Sequence, residues 1–414
     1  STAEGEIMYS FLLVIIYMAF ISLGLPDSLV GSAWPVIHTE LNVPVSYAGM
    51  ITMVIAAGTV ISSLLSDRLT KKLGAGLVTA VSVLMTAVAL FGFSVSGSFL
   101  LLCLWAVPYG LGAGAVDAAL NNYVALHYAS RHMSWLHCFW GLGAAASPYI
   151  MRYCLTGGYG WHSGYRAVSI IQFVLTAGLF ISLPLWKQAN REKGDGARNA
   201  AAVKEEKRIS ENPSSGKTLS LLQTIRLKGV PLVMAAFFSY CAVEQTMMLW
   251  ASSYMVQVRG MDVNLAAGYS SLFFFGITFG RFLGGFAADW LGDRGLIRIG
   301  IATIVVGLIL VAAPVKTNML VLAGLVVIGF GCAPVYPAII HATPYNFGRE
   351  NSQAVIGVQM ASAYIGTTFM PPLFGVLASI TNISSLPFYI LILTVLLLVM
   401  SEKLNRTVDR RRNR

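Results

Sequence analysis

The stretch FLLVIIYMAFISLGLPD, from Phe11 to Asp27, places a carboxylate at the end of a long apolar run. Two further acids, Asp117 and Glu244, interrupt apolar segments later in the chain. A carboxylate at the bilayer centre costs about 3 kcal/mol on insertion scales, so membrane proteins keep such groups beside a polar cavity. The three acids therefore predict a water-accessible cavity in a membrane protein and favour a transporter.

The composition supports the membrane class. Hydrophobic residues make up 56% of the chain and charged residues 11%, with a mean hydropathy of +0.70. A soluble domain carries about 25% charged residues, and a spanning helix needs about 20 apolar ones. Twelve apolar segments of suitable length can be drawn: 8–36, 45–66, 75–97, 98–127, 132–155, 165–187, 229–257, 265–289, 297–314, 318–342, 352–379 and 384–401.

The net charge of +10 lies mostly in alternate loops. This is the positive-inside pattern, which predicts that both termini face the cytoplasm. The expected location is the plasma (bacterial inner) membrane. The pattern also argues against a nucleic-acid partner, leaving a small-molecule substrate and the lipid bilayer as the expected partners. The five cysteines and six histidines show no metal-type spacing, so neither a metal site nor a cofactor is expected.

Short motifs recur at a spacing of about 220 positions: Gly110 with Gly329, Gly58 with Gly280, and Gly143 with Gly366. Several matches at one offset indicate a duplicated six-helix unit, an architecture in which the binding site lies between the repeats. The fold class is therefore all-α, with bundles at 1–187 and 229–414. The polar stretch 188–228 is predicted to be a cytoplasmic linker.

The loop after the second segment carries a family resemblance. Ser63-Leu-Leu-Ser-Asp67-Arg68 resembles the Gly-x-x-x-Asp-Arg/Lys signature of the major facilitator superfamily, with Ser63 in place of glycine. A second copy, Gly285-Phe-Ala-Ala-Asp289, keeps the glycine but lacks the full basic tail. The resemblance implies twelve helices, a monomer and rocking alternating access. It also implies a gating role for these loops, whose aspartates cap helix N-termini and pair with basic groups.

A narrower resemblance, to the fucose permease-like branch, covers the whole membrane region. The residues that carry it are Gly24-Leu-Pro26-Asp27, Asp117-Ala-Ala-Leu-Asn121, Trp135-Leu-His137, Glu244 with Trp250 and Tyr254, and Gly280-Arg281. The branch implies uptake of sugars or related small polar solutes, coupled to protons or, in some members, to sodium. It uses one acid in helix one and one in helix four, which here would be Asp27 and Asp117.

The proton-coupling candidates are Asp27, Asp117 and His137. Asp27 follows Pro26, whose ring removes a backbone donor and kinks a helix. Asp117 is expected to contact His137, since both lie at similar depths in adjacent segments, and Asn121 follows one turn later on the same face. The structural alternative is that both acids only hold neighbouring helices together.

The substrate-binding candidates combine carboxylate, amide and aromatic groups, the chemistry that suits a sugar with one apolar and one hydroxylated face. They are Asn121, Glu244, Gln245, Trp250, Tyr336, Gln359 and Tyr364. Glu244 could instead form a buried pair with a cation. The gating candidates are Asp67, Arg68, Asp289 and Arg281, with Arg281 expected to be a counter-ion near the cytoplasmic gate.

Two other function classes remain open at this point. A proton-driven exporter of amphipathic drugs or lipids is compatible with Met247–Met248 and Phe273–Phe275. A non-transporting nutrient sensor would need a longer cytoplasmic domain than the linker and tail provide. An enzyme is not expected. Gly110-x-Gly112-x-Gly114 is not a nucleotide-binding loop, because it lies within a spanning segment and no strand precedes it.

Overall fold

The computed structural model describes residues 3–27, 29–43, 47–189, 219–261 and 263–413. Within these ranges the chain is helical and contains no strand. Most of the predicted linker, 188–228, lies outside the described residues, so the predicted division into two bundles and a linker stays a prediction.

The first half of the chain forms eight helices. They are α1 (Ala3–Asp27), α2 (Leu29–Glu40), α3 (Ala48–Leu73), α4 (Ala75–Ser94), α5 (Phe99–His127), α6 (Ser130–Thr156), α7 (Gly160–Ile181) and α8 (183–189). Apolar composition rather than amphipathic periodicity produces these helices, as expected where lipid and protein surround a helix on all sides.

The second half begins with a short helix that carries a capping box between Ser220 and Gln223. Its helices are α9 (Leu221–Arg226), α10 (Val230–Arg259), α11 (Val263–Ala312), α12 (Met319–Cys332), α13 (Val335–His341), α14 (Thr343–Phe347), α15 (Ser352–Ile380) and α16 (Leu386–Arg412). A 3₁₀ turn, Ile383–Ser385, precedes α16.

The described helices account for twelve membrane crossings. Ten helical stretches are long and apolar enough to span a bilayer, and one of them, Leu272–Ala312, has 41 residues. At 1.5 Å per residue that stretch is about 60 Å long, enough for two crossings. Gly292, at a φ of +66°, breaks the helical geometry between its two arms. The 27-residue α6 supplies the remaining crossing.

The two halves use the same device to pack their central helices. A Cβ atom on Gly110 of α5 would lie 2.4 Å from the carbonyl oxygen of Ile55 on α3. A Cβ on Gly329 of α12 would lie 2.2 Å from the carbonyl oxygen of Phe273 on α11. Only glycine permits such close approach, so the recurring glycines fix equivalent helix pairs in each half.

The halves meet at the end of the molecule that carries the basic loops, which we call the basic face. Arg131 at the start of α6 forms an ion pair of 3.1 Å with Asp289 of α11. Ser130 donates a hydrogen bond of 2.5 Å to Asp293, which also lies 2.7 Å from the Nδ1 atom of His341. These contacts hold the two halves together beneath the cavity described next.

Candidate functional site

A cavity of about 940 Å³ lies between the two halves. Its wall includes Asp117 and Tyr336 near mid-membrane, and it extends to Thr52 near the start of α3 and to Pro371 in the second half of α15. Since α3 ends and α15 begins at the basic face, the cavity extends toward the opposite face. Eight of the predicted site residues line it: Asp27, Asp117, His137, Glu244, Gln245, Arg281, Tyr336 and Tyr364.

Asp27 is the last residue of α1, directly after Pro26. The hydroxyl of Tyr109 donates to its Oδ1 atom at 2.6 Å, and the indole N–H of Trp140 donates to its Oδ2 atom at 2.9 Å. Both donors belong to the first half of the chain and both are neutral. Asp27 therefore has a fixed position on the cavity wall, and no cation pairs with it among the residues that the structure describes.

Asp117 on α5 has one partner from each half. The amide of Asn121 donates to its Oδ1 atom at 2.8 Å, and the hydroxyl of Tyr364 on α15 donates to its Oδ2 atom at 2.9 Å. The Tyr364 bond crosses the cavity between the halves. The carboxylate on the cavity wall thus accepts a hydrogen bond from each half of the chain.

The expected direct contact between Asp117 and His137 is replaced by a chain through Asn121. The Oδ1 atom of Asn121 lies 3.0 Å from Nε2 of His137. Because Asn121 uses its amide to donate to Asp117, its Oδ1 acts as the acceptor, which assigns the proton on His137 to Nε2. Asn121 is fully buried and does not reach the cavity, so its predicted role in contacting substrate becomes a role in orienting these two groups.

Glu244 and Arg281 form an ion pair on the cavity wall. The Nη2 atom of Arg281 lies 3.6 Å from Oε2 of Glu244, and the two side chains are 5% and 13% exposed. The hydroxyl of Tyr240 also donates to Glu244. The guanidinium carbon lies 6.0 Å from the ring centroid of Tyr336, within range of a cation–π contact.

This placement corrects the expectation that Arg281 belongs to the cytoplasmic gate. Arg281 precedes Asp289 by eight residues of α11, which is about 12 Å along a helix axis. That rise moves its guanidinium from the basic face into the cavity. The sequence analysis left open a buried pair between Glu244 and a cation, and Arg281 is that cation.

Besides Asn121, two predicted substrate ligands lie outside the cavity wall. Trp250 donates a hydrogen bond of 2.8 Å to the carbonyl of Pro371 and packs against Phe374. Gln359 is fully buried and exchanges hydrogen bonds with Thr343 at 3.1 and 3.2 Å. Both side chains join helices of the second half rather than face a solute.

The structure adds three residues to the site: Tyr109, Trp140 and Tyr240. None of the three was among the residues predicted from the sequence to form the site. Tyr240 precedes Glu244 by four residues, a spacing that places two side chains on one helix face. That spacing was a usable signal, whereas the approach of Tyr109 to Asp27 depends on how α5 packs against α1.

The other three predicted gating residues lie toward the basic face. Asp67 pairs with Lys71 at 3.2 Å, one turn later on α3. Its other oxygen, Oδ1, is buried and has no hydrogen-bond partner within the described ranges, so the expected helix cap is not formed there. Arg68 is exposed, and Asp289 makes the pair with Arg131 described above.

Comparison with known proteins settles the family. The family model described as the Major Facilitator Superfamily matches residues 16–358 and, in an overlapping match, 270–412. The chain belongs to the Major Facilitator Superfamily. It is therefore a multi-pass membrane transporter rather than an enzyme.

Similar proteins cover most of this superfamily transporter. The glucose/mannose transporter GlcP of Bacillus subtilis is 23% identical over 78% of this chain and 77% of its own. The solved structure of FucP in an outward conformation matches with a TM-score of 0.74 at 14% identity, over 96% of this chain and 99% of that one. The proton:xylose symporter XylE matches with a TM-score of 0.76 at 12% identity, over 97% and 96% of the two chains. The fold is thus that of FucP and XylE.

Proposed function

We propose that this protein imports a sugar or a similar small polar solute together with a proton, by rocking of the two halves around the cavity. The observation that carries the proposal is the pair of carboxylates, Asp27 and Asp117, on one cavity wall. Within the described ranges neither takes part in an ion pair. A carboxylate without a cation is neutralised by taking up a proton when its surroundings become dry.

The position of Asp117 supports a coupling role. Its bond to Tyr364 joins the two halves, so a change in the charge of this carboxylate alters the free energy of a contact that must break when the halves separate. Coupling requires such a differential interaction between a ligand and two conformations. Protonation of Asp117 supplies this difference, because it changes the strength of the bond to Tyr364 that exists only while the halves are together.

The chemistry of the cavity wall supports a sugar-like solute. Gln245 and Glu244 provide amide and carboxylate groups, and Tyr336 and Trp140 provide aromatic surface. A few polar groups in a largely apolar cavity of this volume suit a small polyhydroxy ligand. Similar proteins named as a glucose/mannose transporter, a fucose:proton symporter and a proton:xylose symporter support both the solute class and proton coupling.

The proposed orientation places the basic face and both termini in the cytoplasm of a bacterium, with the protein in the inner membrane. The basic loops support this orientation through the positive-inside rule. In that orientation the contacts of Arg131 with Asp289 and of Ser130 with Asp293 close the cytoplasmic side. The cavity then extends toward the outside, where solute and proton would enter together.

The alternative function, export of amphipathic compounds, is favoured by one observation. Met53, Met248, Met360 and Phe369 give the cavity an extended apolar wall. Methionine side chains adapt to ligands of irregular shape, as promiscuous binders require. We place export second because Asp27 and Asp117, which have no cation partner within the described ranges, lie on the same wall.

Transport into proteoliposomes distinguishes these functions. The purified protein is reconstituted with a pH-sensitive dye inside, and sugars are added outside at equal pH on both sides. The expected result is acidification of the interior with a sugar and none with a hydrophobic drug. Sugar uptake that requires sodium and leaves the internal pH unchanged would replace the proton by sodium, and drug-driven proton movement without any sugar response would select the exporter.

A further inference from the structure

The charges on the cavity wall are unequal. Within the described ranges the wall carries three carboxylates, Asp27, Asp117 and Glu244, and one guanidinium, Arg281. With every group ionised the net charge is −2, and with Asp27 and Asp117 protonated it is zero. The site thus becomes electrically neutral by binding two protons, without any charge on the solute.

The single cation is already matched by an anion of the same half. Glu244 on α10 lies 3.6 Å from Arg281 on α11, and both side chains are largely buried. Opposite charges at this distance in a poorly hydrated site attract each other strongly. A solute carboxylate would have to displace Glu244 and would leave that carboxylate as a buried, uncompensated charge, which is costly.

The same pair keeps hydrogen-bonding capacity for a neutral solute. A separation of 3.6 Å exceeds the length of a direct hydrogen bond, so the N–H groups facing Glu244 are not consumed by it. A guanidinium that donates and a carboxylate that accepts, side by side, match two neighbouring hydroxyl groups of a polyol.

We propose that the Glu244–Arg281 pair makes this cavity selective for neutral polyhydroxy solutes and excludes the corresponding sugar acids. The inference rests on the proposed function, since it names the charge class of the solute that the same cavity carries. Glu244 is the specificity-determining residue, because it neutralises the one cation that a sugar acid would need. Arg281 donates to a solute hydroxyl rather than to a solute carboxylate.

The test uses matched ligands that differ by one group. Aldohexoses such as glucose, galactose and mannose are each compared with their 6-carboxylates, which keep the ring and replace a hydroxymethyl group by a carboxylate. Binding to the purified full-length protein is followed by thermal shift at a pH where the uronates are ionised. We expect the neutral member of the recognised pair to reach half-saturation at a concentration at least about tenfold lower than its uronate.

Two variants test whether Glu244 is responsible. Glu244→Gln keeps the shape of the side chain but frees the charge of Arg281, so the preference for the neutral member should fall at least about tenfold or reverse. Glu244→Gln combined with Arg281→Gln removes both charges and should not gain uronate binding. Size-exclusion profiles and the melting temperature without ligand show whether each variant is folded. If a variant is not folded, the ratio of the half-saturating concentrations of uronate and sugar in the wild type remains the test.

The outcomes separate this inference from the proposed function. A wild type that binds a uronate as tightly as the sugar overturns the inference and leaves transport of a sugar-like solute standing. An unchanged ratio in folded Glu244→Gln overturns the role of Glu244. No response to any member of any pair would overturn the proposed function and this inference with it.

Discussion

Asp27 and Asp117 line the same cavity, but their hydrogen bonds run in different directions. The donors to Asp27, Tyr109 and Trp140, both belong to the first half of the chain. Asp117 accepts one bond from its own helix and one from Tyr364 in the second half. The comparison shows that, of two identical side chains on one cavity wall, only Asp117 is hydrogen-bonded to the opposite half.

The largest expected effect is the loss of proton coupling when either acid is replaced. Asp27→Asn and Asp117→Asn keep the size and most hydrogen bonds of the side chain but cannot bind the proton. We expect sugar accumulation driven by a pH gradient to fall roughly 5- to 150-fold, the usual range of a coupling free energy. Exchange of labelled for unlabelled solute needs no net proton movement and serves as the control.

That exchange assay also sharpens the comparison between the acids. Exchange should survive in Asp27→Asn, where the contact between the halves is intact, and should change its rate in Asp117→Asn, where that contact is altered. Accumulation at the wild-type level in both variants would remove the coupling role from this cavity.

The next effect concerns the tyrosine partners of the two acids. A hydrogen bond to a charged group contributes about 1.5–3 kcal/mol, and 1.4 kcal/mol changes an equilibrium tenfold. Tyr364→Phe should therefore shift the balance between cavity orientations by roughly 10- to 100-fold toward separation at the basic face. Tyr109→Phe is the matched control, because its bond lies within one half and its loss should not shift that balance.

Spin labels at Lys72 and Arg349, near the basic face in opposite halves, measure this balance in a background without native cysteines. A longer distance population should appear in Tyr364→Phe and not in Tyr109→Phe. Equal distance distributions in the two variants would show that the bond across the cavity does not govern separation of the halves.

A smaller effect is expected from the contacts that close the basic face. Asp293 is largely buried and bonds both Ser130 and His341, whereas the Arg131–Asp289 pair is 46% exposed on both sides. Exposed pairs contribute about 0–1 kcal/mol and are screened by salt. Asp293→Asn should thus shift the label distances more than Asp289→Asn does, and only the latter effect should vanish in high salt. A larger shift of the label distances in Asp289→Asn than in Asp293→Asn would show that the exposed pair contributes more to closing the basic face.

Much of the fold was predictable because apolar length determines a spanning helix. The predicted segment 98–127 corresponds to Phe99–His127, and the predicted segments at 265–289 and 297–314 are the two arms of α11. The cavity was predictable as well, since a carboxylate in an apolar segment requires polar surroundings. The spanning helices and the presence of a cavity can each be inferred from the composition of single segments.

The partners within the site were less predictable because they depend on helix rotation and packing. Trp250 follows Glu244 by six residues, which at 100° per residue is about 120° away around the helix. Gln359 and Tyr364 are five residues apart, about 140° around the helix, so they do not face one cavity. The pairing of Glu244 with Arg281 depends on the crossing of α10 and α11, which no single segment reveals.

The smallest effect is expected at Trp250, which resembled a sugar-stacking residue in sequence but lies behind the cavity wall. Its indole donates one hydrogen bond to the carbonyl of Pro371. Trp250→Phe keeps an aromatic ring against Phe374 and removes that bond, at a cost of about 1 kcal/mol in stability. The melting temperature should fall slightly while the solute concentration for half-maximal transport stays at the wild-type value. Trp140→Phe is the matched comparison, since it removes an indole bond to Asp27 on the wall itself and should change transport. If Trp250→Phe weakened solute binding as much as Trp140→Phe does, Trp250 would have to enter the cavity in another conformation of the transport cycle.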